Sequence, residues 1–250
     1  MNRTSSRPFV PAATLALALV MALAVVSGAR AQNLIVDGSF EDPALPPGGF
    51  NSGFQAFGVG STFGPGGAWT VVGSSAGNVA VTPDTEFTDF GLGTVNFPAE
   101  DQHQWMDLTG NTDNGAVTGI AQSFATTPGA LYSLSYWVGD TFDPTYPAPA
   151  GGPSTVAVQI DGSPVQTAVN ATFPTGPTIN WKQFTFLFNA AGPSTTLTFL
   201  NGNASGQGLN ALDDVSVTAV PSTQAPEPTS LALGAAGLLP FVFYRVRRRV

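Results

Sequence analysis

The chain has 250 residues, 10% of them charged, with no cysteine and a formal net charge of −8. Without cysteine there is no disulfide, no thiol chemistry and no cysteine-ligated zinc. The acidic balance disfavours a phosphate-binding surface, so nucleic acid is not an expected partner.

The first predicted element is a leader. Residues 1–7 are basic, residues 9–26 are apolar, and Ala29, Arg30 and Ala31 form an A-x-A site. This is the layout of a secretory signal peptide over residues 1–31, cleaved between Ala31 and Gln32. Residues 43–67 and 140–153, rich in Gly and Pro, read as long loops. Between them lie Gly73, Ser74, Ser75, Ala76 and Gly77, which fit G-x-S-x-G. That elbow serves a hydrolase only between a strand and a helix. Here "NVAVT" follows, a strand pattern, so a glycine-rich turn is expected.

Period-two alternation then dominates. In "HQWMDL" (103–108) it puts Met106 and Leu108 on one face, Trp105 and Asp107 on the other. In "LYSLSYWV" (131–138) it turns Leu134, Tyr136 and Val138 inward, and Ser133, Ser135 and Trp137 outward. "TVAVQI" (155–160) leads into Asp161-Gly162, a tight-turn pair. "KQFTFLF" (182–188), "TTLTFL" (195–200) and "LDDVSVTAV" (212–220) continue the pattern. The expectation is one all-β domain over residues 32–220, a jelly-roll β-sandwich, with a linker at 221–225.

The last element spans residues 226–250. Pro226, Glu227 and Pro228 precede an apolar stretch, 229–244, and then Arg245, Arg247, Arg248 and Arg249. Sixteen helical residues reach ~24 Å against a hydrocarbon core of ~30 Å, a marginal span. The arginines would hold its end on the cytoplasmic side. This order resembles the PEP-CTERM sorting signals of Gram-negative bacteria that make extracellular polysaccharide. The resemblance implies an exosortase as processing partner and transient anchoring in the inner membrane. It also implies release to the cell surface or the exopolysaccharide matrix. With both ends removed, fifteen acidic side chains face one basic one, Lys182, for a net charge of −14.

The domain carries a second resemblance. "NLIVDGSFEDP" (33–43), "HQWMDLTGN" (103–111), "GIAQSFATTPGALYSLSYWVGD" (119–140), "WKQFTFLFNAAGPSTTLTFLN" (181–201) and "ALDDVSVT" (211–218) come in the order seen in galactose-binding-like jelly rolls. They are most similar to the secreted choice-of-anchor domains. Related carbohydrate-binding modules hold a structural calcium with the Glu of F-E and an Asp of D-D-V. The resemblance therefore implies a Ca²⁺ site at Glu41 and Asp213, with Asp214 as substitute. Glu41-Asp42 follows the first expected strand, at the start of the domain, and Asp213-Asp214 begins the last. Carboxylates gathered there repel unless a cation sits among them, and the residues alone also allow solvated carboxylates or an Asp pair that caps loop amides.

Trp105 and Trp137 share faces with polar residues and are the candidate carbohydrate-stacking rings; Trp69 and Trp181 are expected in the core or at a strand edge. No catalytic residue is assigned. The leading expectation is a non-enzymatic exported matrix or surface protein. A carbohydrate-binding module with a defined glycan and a secreted hydrolase are the alternatives.

Overall fold

The computed structural model describes residues 32–46, 53–74, 76–84, 87–89, 93–110, 117–141, 153–176, 178–204 and 208–221. The expected signal peptide (1–31), the sorting signal (226–250) and most of the second expected loop (142–152) lie outside these residues. No helix among them is long and apolar enough to cross a membrane.

Among the described residues fourteen strands are formed. In chain order they are β1 (Gln55–Gly58), β2 (Thr62–Phe63), β3 (Trp69–Gly73), β4 (Asn78–Pro83), β5 (Phe87–Asp89), β6 (Gly93–Val95) and β7 (Gln104–Asp107). They continue with β8 (Thr118–Ala125), β9 (Leu131–Thr141), β10 (Ser154–Ile160), β11 (Ser163–Asn170), β12 (Ile179–Asn189), β13 (Ser194–Asn201) and β14 (Asn210–Ala219). Two six-stranded sheets result: sheet A in the order β1-β4-β7-β14-β9-β12, and sheet B in the order β11-β10-β13-β8-β3-β2. β5 and β6 form a separate ribbon. Every pairing is antiparallel. The class is all-β, a jelly-roll sandwich.

The core follows the alternation. Leu134, Tyr136 and Val138 of β9, Val156 and Val158 of β10, Leu197 and Phe199 of β13, and Leu212 and Val217 of β14 are fully buried between the sheets. Trp69 joins them, with its indole donating to the Asp37 carbonyl. Asp161 (φ 50°) and Gly162 (φ 77°) make the expected β10–β11 turn, since a two-residue turn of this hand needs positive φ at both positions.

Two expectations change. The stretch 43–67 is not one loop, because it holds β1, β2 and a short 3₁₀ turn, Pro65–Gly67. The N-terminal "NLIVDGSF" runs beside β14 without being a strand. Leu34 donates to Val217 and Val215 donates to Gly38, but Asp37 (φ 55°) and Phe40 (φ 57°) break the ladder. Gly38 permits the approach: a Cβ there would lie 2.0 Å from the Val215 carbonyl oxygen.

Candidate functional site

The candidate residues converge on the outer face of sheet A. Register places Gln183, Trp137 and Asp213 side by side across β12, β9 and β14. Trp105 on β7 faces the same way. The neighbouring row holds Trp181, Gly139, Ala211 and Asp107. Gly139 lies beneath the Trp181 ring, and a Cβ there would come within 2.8 Å of it and 2.5 Å of Ile179.

The segment between β6 and β7 crosses this face. Its residues Phe97 and Ala99 pack with Trp105, Ile179, Ala211 and Trp181 as a second, smaller apolar cluster. Its carbonyls orient two indoles: Trp105 donates to Phe97 at 3.2 Å, and Trp181 donates to Pro98 at 2.9 Å. Trp105 therefore does face outward, as the alternation requires, yet it is fully buried. The expectation of Trp105 as an exposed stacking ring is corrected, because a crossing segment covers it as a second layer.

Trp137 remains half-buried on the outer face, with its indole beside the Asp214 carboxylate, whose charged form it favours. Trp181, expected in the core or at an edge, is half-buried on edge strand β12. The open aromatic surface is thus Trp137 with Trp181, rather than Trp137 with Trp105. The Asp214 carboxylate lies beside Trp137, and Glu100 and Asp101 lie near Asp214. Glu100 and Asp214 are both raised above the ordinary carboxylate range, first by partial burial and then by repulsion within this group.

The two acidic motifs meet on that same crossing segment, as amide acceptors. Asp213 Oδ2 accepts from Glu100 N (2.8 Å) and Asp101 N (3.0 Å), and its Oδ1 accepts from Asp214 N (2.7 Å). Glu41 Oε1 accepts from His103 N and Gln104 N, both at 2.8 Å. Asp213 is fully buried, and desolvation pushes its pKa up to about 8, with the amides opposing. Asp214 begins a bulge in β14 (φ 44°) that turns its side chain toward Trp137. Most of the Asp213 acceptor capacity is spent on main chain. Among the described residues no group of three or more His, Cys, Asp or Glu side chains is arranged to hold a metal. The Glu41–Asp213–Asp214 set thus fits a segment clasp better than a calcium shell.

Hydrolase features do not assemble among the described residues. Gly73 ends β3 and Asn78 begins β4, so the G-x-S-x-G stretch links two strands. The His103 ring is exposed and meets Asp84, at 3.4 Å. A shallow depression across β3, β8, β13 and β10, bordered by Gln159, Asp161 and Thr196, has no aromatic ring in its lining.

Comparison with solved structures agrees on architecture. A Stig cyclase, Fisc, from Fischerella sp. TAU is 15% identical over 77% of this chain and 99% of its own, with a TM-score of 0.50. A second cyclase from the same organism is 16% identical over 78% and 100%, with a TM-score of 0.51. TmCBM61 in complex with β-1,4-galactotriose is 12% identical over 76% and 99%, with a TM-score of 0.40. No family model and no curated protein matches the chain. At these identities the cyclase likenesses are to the fold alone.

Proposed function

We propose that this protein is an exported, non-catalytic jelly-roll domain that contacts extracellular polysaccharide through the outer face of sheet A. The observation that carries the reading is the Trp137–Trp181 surface. Two half-buried indoles lie on one face, the Trp181 N–H fixed to the Pro98 carbonyl and the Trp137 indole set beside the Asp214 carboxylate. Flat rings held in this way offer apolar area to the face of a sugar at little entropic cost, and neighbouring polar groups meet its hydroxyls. Gln183, Asp214 and Glu100 supply those groups at the rim.

Export rests on the two terminal signals. In this reading the leader is removed before Gln32. The Pro226-Glu227-Pro228 tail then anchors the precursor in the inner membrane until an exosortase processes it, leaving the domain at the surface or in the matrix. Affinity electrophoresis through gels containing neutral polysaccharides, or the host's own, tests the glycan contact. Retardation of the wild type, lost in Trp137→Ala/Trp181→Ala while that variant still melts cooperatively, is expected. A wild type that no polysaccharide retards would refute it.

A further inference from the structure

The inner face of the sandwich is apolar except at one end. There β9 finishes, β10 and β14 begin, and Asp140 is buried among amide and hydroxyl side chains. Most of their hydrogen bonds serve neighbouring strands. Asn210 Nδ2 donates to the Thr155 carbonyl and to Asn201 Oδ1, and Asn170 Nδ2 donates to the Val138 and Asn180 carbonyls. Asp140 Oδ2 and Asn210 Oδ1 have no partner, although their residues are only 2% and 0% exposed. The β9–β14 register makes these two residues direct partners. The Asn210 main chain is turned away from β9: its amide donates to Asp107 Oδ1, and its carbonyl accepts from Leu108 N on β7. Asp140 and Asn210 are therefore a non-hydrogen-bonded pair, the kind whose side chains lie closest in an antiparallel ladder, with Cα atoms about 4.5 Å apart.

A carboxylate oxygen and an amide oxygen are both acceptors, so neither can satisfy the other. The amide hydrogens of Asn210 are already committed, and the group able to change is the acid. One proton on Asp140 turns an acceptor into a donor beside an acceptor, and it removes an unpaired buried charge at the same time. No charged neighbour does this instead. The β12 partner of Asp140 is Asn180, and β10 and β11 bring Ser154 and Asn170 to this end, all neutral. The titratable groups on the surrounding strands are engaged elsewhere. Lys182 donates to the Val169 carbonyl and Tyr136 to Gln166. Asp107 accepts from Thr109 N and Asn210 N, Asp213 accepts from three amides, and Asp214 lies beside Trp137 on the outer face.

We propose that Asp140 is held as a neutral acid whose Oδ2–H donates to Asn210 Oδ1, a proton latch that closes the β9–β14 ladder at this end of the sandwich. Loss of the proton leaves two facing acceptors, one of them charged, and the ladder must open to hydrate them. The latch is distinct from the Glu41–Asp213 clasp and independent of the glycan reading. Carbon NMR of the folded chain tests it. The Asp140 carboxyl and the Asn210 side-chain carbonyl should shift together, with one midpoint at about 7. Amide hydrogen exchange reads the opening at Gly139 and Ala211, the adjoining register pair. Between pH 5 and pH 8 their protection, corrected for intrinsic exchange, should fall at least about tenfold further in the wild type than in Asp140→Asn. The amide of that variant keeps a donor beside Asn210 at every pH. Should it fail to fold, the two carbon titrations in the wild type decide. An Asp140 carboxyl already ionised at pH 5, an Asn210 carbonyl that does not follow it, or an equal loss of protection in the two proteins would overturn the latch.

Discussion

Stability should fall as pH rises from about 4.5 to 8.5, in chelator, because the folded chain holds protons that the unfolded chain releases. Burial raises Asp213 from 3.8 to about 8 and Asp107 from 3.8 to about 6. Each folded-state pKa lies above its unfolded value. Between the two values the native state binds more protons than the denatured one, so stability is full below about 4 and declines toward 8. At about 1.4 kcal/mol for each tenfold change, the Asp213 displacement alone corresponds to about 6 kcal/mol. Relaxation of the 97–104 segment and entry of water at pH 8 reduce this, and about 2–4 kcal/mol is the expected loss. For a domain of this size that is about 4–16 °C in melting temperature. Urea unfolding followed by tryptophan fluorescence at pH 5, 6.5 and 8 measures it, and Asp213→Asn should flatten the upper half of the profile. Stability that is level or rising over this window would refute the reasoning. It would mean that the three amides facing Asp213 hold the carboxylate charged throughout.

Other outcomes follow from packing. Trp105→Ala should cost about 3–5 kcal/mol, as for a fully buried aromatic, whereas Trp137→Ala should cost under about 1.5 kcal/mol; chemical denaturation separates them. Gly139→Ala drives a methyl into Ile179, Trp181 and Ala211. It should cost about 1–3 kcal/mol and weaken polysaccharide retardation by displacing the Trp181 ring. In the native host the mature mass should begin at Gln32 and lack Arg247, Arg248 and Arg249. A secreted species that retains those arginines would exclude tail processing.

The strands that alternate cleanly were legible in the sequence. β9, β10, β12 and β13 each contain the run that predicts them, extended by one to three residues at the ends, and β14 starts two residues before its run and ends one residue short of it. The Asp161-Gly162 turn was legible for the same local reason. What was not legible depends on distant partners. "NLIVDGSF" reads as a strand, but Asp37 and Phe40 take positive φ. The Asp37 oxygen accepts from Glu41 N and Asp42 N, closing a local turn that competes with the ladder. Trp105 was assigned to the correct face and the wrong environment. Alternation states which way a side chain points and carries no information about a segment that later folds over it. The packing of Trp181 over Gly139 had no sequence signal, since the two residues are forty-two positions apart and meet only through the β9–β12 register.

One constraint links these features. With fifteen carboxylates and a single lysine after both ends are removed, protein ion pairs cannot satisfy the acids that folding buries. Two other solutions remain, and the domain shows both. Main-chain amides serve Asp213 and also Asp107, which accepts from Thr109 N and Asn210 N. A retained proton is favoured where desolvation outweighs those bonds, as the raised values of Asp213 and Asp107 indicate. Asp140 has neither an amide nor a charge against Oδ2. Its pKa is pushed up to about 7 by burial alone, so it keeps its proton to near neutrality. Asp140→Asn should therefore lessen the fall in stability between about pH 6 and 8, as urea unfolding measures. A fall as steep in Asp140→Asn as in the wild type would show that Asp140 is already ionised in the folded chain.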